Sequence, residues 1–149
     1  MRVIVFGSRD WHPDLLPGLR EFIADRLADL PGTATVVHGA ARGVDRIAAS
    51  EAEKLGLIVE PHPAADFKSP TVSWKRAPLE RNSHMARLGA DLAIGFHNGS
   101  STGSQDMRRK AEQAGIPVEM HDLMTVLCAL SPVQAGEATE GDQSSDVQP

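Results

Sequence analysis

A chain of 149 residues with 41% hydrophobic and 23% charged residues is long enough for one domain with its own core, and its composition is neither that of a disordered chain nor that of a membrane protein. The formal net charge is -5, but four of the 20 acids (Glu137, Glu140, Asp142, Asp146) fall in Ser131–Pro149, which has no Lys or Arg. The remainder sets 15 bases against 16 acids, so no global field draws it to nucleic acid or to an anionic membrane, and neither partner is expected on charge.

RVIVF (Arg2–Phe6) is a β-branched apolar run closed by Gly7 and reads as a buried strand. Its four-residue apolar stretch is too short for a signal peptide, and no run approaches the ~18 apolar residues of a membrane span. Pro13 to Leu30 carries Leu15, Leu16, Leu19, Phe22, Ile23, Leu27 and Leu30 at helical spacing, with the regular helix expected from about Pro17. TATVVHG (Thr33–Gly39) reads as a second strand, Gly43–Leu55 as a helix, and LIVEP (Leu57–Pro61) as a third strand.

Four prolines between Pro61 and Pro78 mark His62–Pro78 as a long loop, a length often tied to function. A short helix over Leu79–Leu88, a strand over Asp91–Phe96, a loop over His97–Ser104 and a helix over Gln105–Ala114 follow. Pro117–Met120 reads as a fifth strand and Leu123–Leu130 as a short last helix. After Ser131 little could form a core, so a disordered acidic tail (131–149) is expected behind one domain (1–130). The single cysteine, Cys128, allows no disulfide and suits a reducing, cytoplasmic setting.

The alternation of strands and helices implies an α/β fold: a three-layer Rossmann-like domain with about five parallel strands in order 3-2-1-4-5. Ligands in such folds sit at the C-terminal strand ends, near the switch between strands 1 and 4. The unusual sequence lies there. In GSRDW, Gly7 permits a sharp exit, Ser8 and Arg9 suit a phosphate, and Trp11 could cover a base; a plain turn with its Trp on the core edge fits equally. In HGAARGVD, Gly39, Ala40 and Ala41 are small enough for backbone to approach an anion, Gly43 precedes a helix whose N-terminus favours a phosphate, and Asp45 could accept from a ribose hydroxyl or cap the helix. The spacing is neither the dinucleotide fingerprint nor a Walker A loop, and tight packing is the other reading.

HNGSSTGSQDM brackets hydroxyls between Gly99 and Gly103 before a helix, a second possible anion cradle from Ser101, Thr102, Gly103 and Ser104. Its alternative is a polar turn capped by Thr102 or Ser104. In LERNSHM, Arg81 and His84 are three apart on one helix, with Asn82 between them; a solvated charged face fits as well. His38, at a strand end, is a ligand contact or a satisfied structural histidine. The six histidines show no metal-ligand spacing, and no metal is expected.

GSRDW, VVHGAARGVDRIA, ERNSHM and GSSTGSQDM, in this order on these elements, resemble the YspA-like branch of the SLOG superfamily over about residues 2–120. That branch is frequent in bacteria, phages and mobile elements. The resemblance implies a Rossmann-like fold that binds nucleotides or nucleotide-derived signals, with AMP, NAD or ADP-ribose-like molecules as candidate ligands, and a possible homodimer. No cofactor is firmly implied.

Two related families frame the alternatives. Lonely Guy phosphoribohydrolases cleave nucleoside monophosphates with an Arg in E-R-K-x-x-M and a Glu ending P-G-G-x-G-T-x-x-E. Arg81 and Met85 match the first segment and Gly103-Ser104 the second, but Met107 stands at the glutamate position. An enzyme would have to use Arg81 with Asp106, one position off in register, so binding without cleavage is expected. The Rossmann domain of DNA-processing protein A resembles GSR and HGAARGVD and implies single-stranded DNA binding. The near-neutral body and few aromatics (two Trp, four Phe, no Tyr) argue against that here.

Overall fold

In the computed structural model, which describes residues 1–99 and 101–122, every strand is parallel and the central one is apolar on both faces. β1 (Arg2–Gly7) alternates between two cores. Val3 and Val5 pack in one with α1 (Leu16–Ala28) and α2 (Val44–Lys54), while Ile4 and Phe6 pack in the other with α3 (Ala77–Leu88) and α4 (Thr102–Gln113). A strand buried on both faces needs the unbroken apolar run that Val3–Phe6 supplies.

β2 (Thr35–His38), β3 (Ile58–Pro61), β4 (Leu92–Phe96) and β5 (Val118–His121) complete a five-stranded sheet of order β3-β2-β1-β4-β5. This is the α/β order expected from the sequence. β1 pairs with both β2 and β4, so the connections leaving β1 and β4 part to opposite faces and open a crevice between them.

The boundaries shift where turns are tighter than periodicity suggests. Pro13–Leu15 is a separate 3-10 turn, with His12 Nδ1 accepting the Asp14 amide at 3.1 Å, and α1 follows it. The long proline-rich loop holds another 3-10 turn at Ala64–Phe67, and α3 starts at Ala77 rather than Leu79. α4 starts at Thr102, three residues earlier than expected, because Ser101 caps it. Ser100, the expected helix Leu123–Leu130, Cys128 and the expected tail 131–149 lie outside the described residues.

Both edge strands are braced by a bidentate arginine–glutamate pair. Arg2 Nη1 and Nη2 donate to Glu60 on β3 at 2.8 and 3.0 Å, while Arg26 Nε and Nη2 donate to Glu119 on β5 at 2.7 and 2.9 Å. In each case the histidine two residues on, His62 or His121, also contacts that carboxylate, at 2.7 and 2.6 Å. The arginine bonds, ahead of the histidines, hold both carboxyls down at about 2. A depressed carboxyl contributes stability that is complete above its unfolded value and is lost as pH falls toward the folded one. Denaturant unfolding between pH 7 and pH 2 should therefore show stability falling below about pH 4.5. Glu60→Gln and Glu119→Gln should each be less stable at pH 7 and show a shallower acid slope; an unchanged slope in both would refute the braces.

Candidate ligand-binding cleft

A cleft of about 690 Å³ opens at the C-terminal ends of β1 and β4. Its frame is Ser8, 2% exposed, where four segments join. The Ser8 amide donates to the Phe96 carbonyl at 3.0 Å, and its hydroxyl accepts the Asn98 amide at 3.0 Å. The Ser8 carbonyl accepts Trp11 Nε1 at 2.8 Å and the first amide of α2, Val44 N, at 3.4 Å. This convergence requires glycine on both sides. A Cβ on Gly7 would lie 2.2 Å from the Phe96 carbonyl oxygen, and one on Gly43 (φ +81°) 2.6 Å from the carbonyl oxygens of Ser8 and Arg9.

Ser8 lines the cleft, yet its amide and hydroxyl are already bonded within the protein. Gly43 is absent from the lining, its α-carbon lies against the backbone of Ser8 and Arg9, and the first amide of α2 is taken by the Ser8 carbonyl. Trp11, expected to cover a base, packs against the α1/α2 core instead, with its N–H satisfied by Ser8.

The loop after β2 is closed in the same way. Asp45 Oδ2 accepts the amides of Gly39 at 2.9 Å and Ala41 at 3.3 Å, and His38 Nδ1 accepts that of Ala40 at 2.9 Å. Three successive N–H groups that could have cradled a phosphate are thus used inside the loop. Asp45 borders the cleft and, through Oδ2, anchors this loop. Burial, opposed by Arg81 and the two amides, raises its carboxyl to about 6. His38 does not line the cleft, and burial, with His62 and Arg81 adding to it, lowers its imidazole to about 4, so it is neutral at pH 7.

Arg81 reaches this loop from α3. Its Nη1 donates to the carbonyls of Gly39 at 2.5 Å and His62 at 3.3 Å, and its Nε donates to Asn82 Oδ1 at 2.9 Å. A Cβ on Gly39 would sit 2.3 Å from Nη1, so the guanidinium lies flat against this glycine. Asn82 continues the chain through Nδ2 to Asp106 Oδ2 at 3.1 Å. Asp106 is buried, bound to Arg109 at 2.6 Å and Lys110 at 2.9 Å, and absent from the lining. Its carboxylate is thus committed to two cations of its own helix and to Asn82. Met107 borders the cleft in its place, beside Met85.

The turn after β4 is bonded only in part within the protein: Ser101 Oγ donates to Ser104 Oγ at 3.0 Å, and the Gly103 carbonyl accepts Asn82 Nδ2 at 3.4 Å. Ser101, Thr102, Gly103 and Ser104 present the first turn of α4; Ser101 Oγ accepts the Ser104 amide at 3.3 Å, leaving the amides of Thr102 and Gly103 outside the helical ladder. Gly99, expected here, is not part of the lining. Arg9 and Lys75 border the cleft as exposed cations without a hydrogen bond or salt bridge to any described residue. Arg9 lies close enough to Arg81 to help lower its pKa, after burial as the largest cause. Asp10 is paired with Arg42 at 2.8 Å, and its carbonyl accepts Asn98 Nδ2, tying three loops together at the rim.

The lining residues Lys75, Asp10, Asn98, Ala64, Pro78 and Leu79 carry no motif signal in the sequence. The proline-rich stretch that supplies three of them was marked only by its length. Among the described residues no group of His, Cys, Asp and Glu could hold a metal ion, and no helix is long and apolar enough to cross a membrane.

No family model matches the chain. It is 38% identical over 124 residues to the Gene 61 protein of Mycobacterium phage D29, an alignment covering 78% of this chain and 93% of that protein. Among solved structures it superposes on DNA processing protein A (DprA) from Streptococcus pneumoniae with a TM-score of 0.61 at 20% identity. That match covers 87% of this chain and 53% of DprA, so the chain spans about half of that protein's length, and the likeness is one of fold.

Two outcomes test this architecture. Gly39→Ala should displace Arg81 and destabilise the protein by about 1–3 kcal/mol in urea unfolding; a change under a few tenths would contradict the packing. Asp45, raised on folding, binds its proton more tightly in the folded state, so stability should decline as pH rises from about 4 to about 6, on the order of 2–3 kcal/mol. Asp45→Asn, whose amide oxygen can still accept both N–H groups, should flatten the curve in that window.

Proposed function

The chain belongs to the family of the Gene 61 protein of Mycobacterium phage D29. We propose that it binds a nucleotide or nucleotide-derived ligand by its phosphate in the cleft between β1 and β4. The observation that carries this reading is the meeting of two unpaired cations, Arg9 and Lys75, with the open N-terminus of α4 on one concave surface. Exposed arginine and lysine usually point to water or to a carboxylate. Here the acids nearby are occupied, Asp10 by Arg42 and Asp45 by loop amides, so the cleft is locally positive in a chain of net charge -5. Helix N–H groups add a favourable dipole for an anion. The SLOG resemblance in the sequence favours the same ligand class: AMP, NAD or ADP-ribose.

Binding rather than cleavage is the reading favoured by Met107 and by Asp106. A hydrolase of the Lonely Guy kind needs a carboxylate at the reacting centre, whereas the only acid next to that position is bonded to Arg109, Lys110 and Asn82. A second reading, single-stranded nucleic acid as partner, draws support from the fold shared with a protein named for DNA processing. It predicts affinity that falls steeply with salt.

Calorimetry with AMP, NAD and ADP-ribose tests the first reading. At least one should bind, and Arg9→Ala or Lys75→Ala should each weaken it roughly tenfold, the size of one charge-assisted hydrogen bond. No heat from any of the three, alongside strongly salt-dependent binding of a single-stranded oligonucleotide, would replace it with the second.

A further inference from the structure

The chain has six aromatic residues, and five of them are committed to packing. Phe96 and Phe6 are buried in the two cores, Phe22 lies edge-on to Phe96, Phe67 packs on His84, and Trp11 is fixed by Ser8. Phe6 is the single aromatic ring of the cleft lining, and at 4% exposure, held against Gly95, it offers no face to a ligand. The cleft thus has cations and amides for a phosphate but no surface for a base.

Trp74 is the exception. It is 64% exposed, the most exposed large hydrophobic side chain among the described residues, and it makes no ring contact with another described aromatic. Its backbone is held in a tight turn: the Ser73 carbonyl accepts the amides of Arg76 at 3.1 Å and Ala77 at 2.9 Å. The next residue, Lys75, borders the cleft, so the Trp74 Cα stands about 3.8 Å from that of a lining residue. An indole left in water forgoes a large burial gain, and adjacency to a phosphate-seeking lysine offers a compensating use.

We propose that Trp74 is the stacking platform for the base of the ligand, with Lys75 beside it directed to the phosphate. This rests on the phosphate-cleft reading above and extends it to a ligand that carries an aromatic base. The role expected from sequence for Trp11 falls to the other tryptophan, which lies in the proline-rich loop.

The experiment compares AMP, NAD and ADP-ribose with ribose 5-phosphate, a base-free control, by calorimetry on the full chain, its Trp74→Ala variant and its Trp74→Phe variant. Because Trp74 is exposed, both variants should fold, which circular dichroism checks. Trp74→Ala should weaken the nucleotides about tenfold, leave ribose 5-phosphate unchanged, and be largely rescued in Trp74→Phe. Equal nucleotide affinity in the full chain and Trp74→Ala would overturn the stacking role while leaving the phosphate cleft intact. Absence of binding by all four compounds to the full chain would overturn the cleft reading and this inference with it.

Discussion

The cleft keeps its shape because one backbone oxygen, that of Ser8, receives N–H groups from two directions, the indole of Trp11 and the first amide of α2. Around it the serine's own amide and hydroxyl bind the carbonyl of Phe96 and the amide of Asn98. The exits of β1 and β4 and the start of α2 are thereby fixed to one residue. The glycines at 7 and 43 follow from this, since any Cβ at either would collide with a backbone oxygen. The side chains of Trp11, Ser8 and Asn98 complete the junction by bonding to main-chain atoms of neighbouring loops.

Much of this was legible in the sequence, and the reasons are local. A β-branched run, a glycine and a helical stripe, repeated, specify strands, exits and crossovers, and the handedness of crossovers leaves few sheet orders. Arg81, Asn82 and the Ser101–Ser104 turn could be named because a short motif carries them. What the sequence left open has a different cause. Whether the amides of Gly39, Ala40 and Ala41 face a ligand or an internal acceptor depends on where Asp45 and His38 turn within the folded loop. Arg81 and Gly39 are 42 residues apart, and no spacing announces that one lies flat on the other. Lys75 sits in a stretch without periodicity, so its place at the rim is set by the helix that follows rather than by its own neighbours.

The electrostatics separate the chain's average from its site. Most of the net charge of -5 comes from the four acids of Ser131–Pro149, and the rest of the chain is near neutral. Within the cleft, pairing of Asp10 and enclosure of Asp45 remove the acids from play, and Arg9, Lys75 and Arg81 set the local sign.

The two edge braces have a consequence for how the sheet comes apart. Arg2–Glu60–His62 and Arg26–Glu119–His121 share no residue and serve strands at opposite ends of the order. Each strand is clasped by its own latch, so β3 and β5 can peel away independently, and loss of one leaves the other's latch intact. β1 lies between, hydrogen-bonded on both sides, and opens only with the whole domain. The cleft stands over this innermost strand, on the last part of the sheet to loosen.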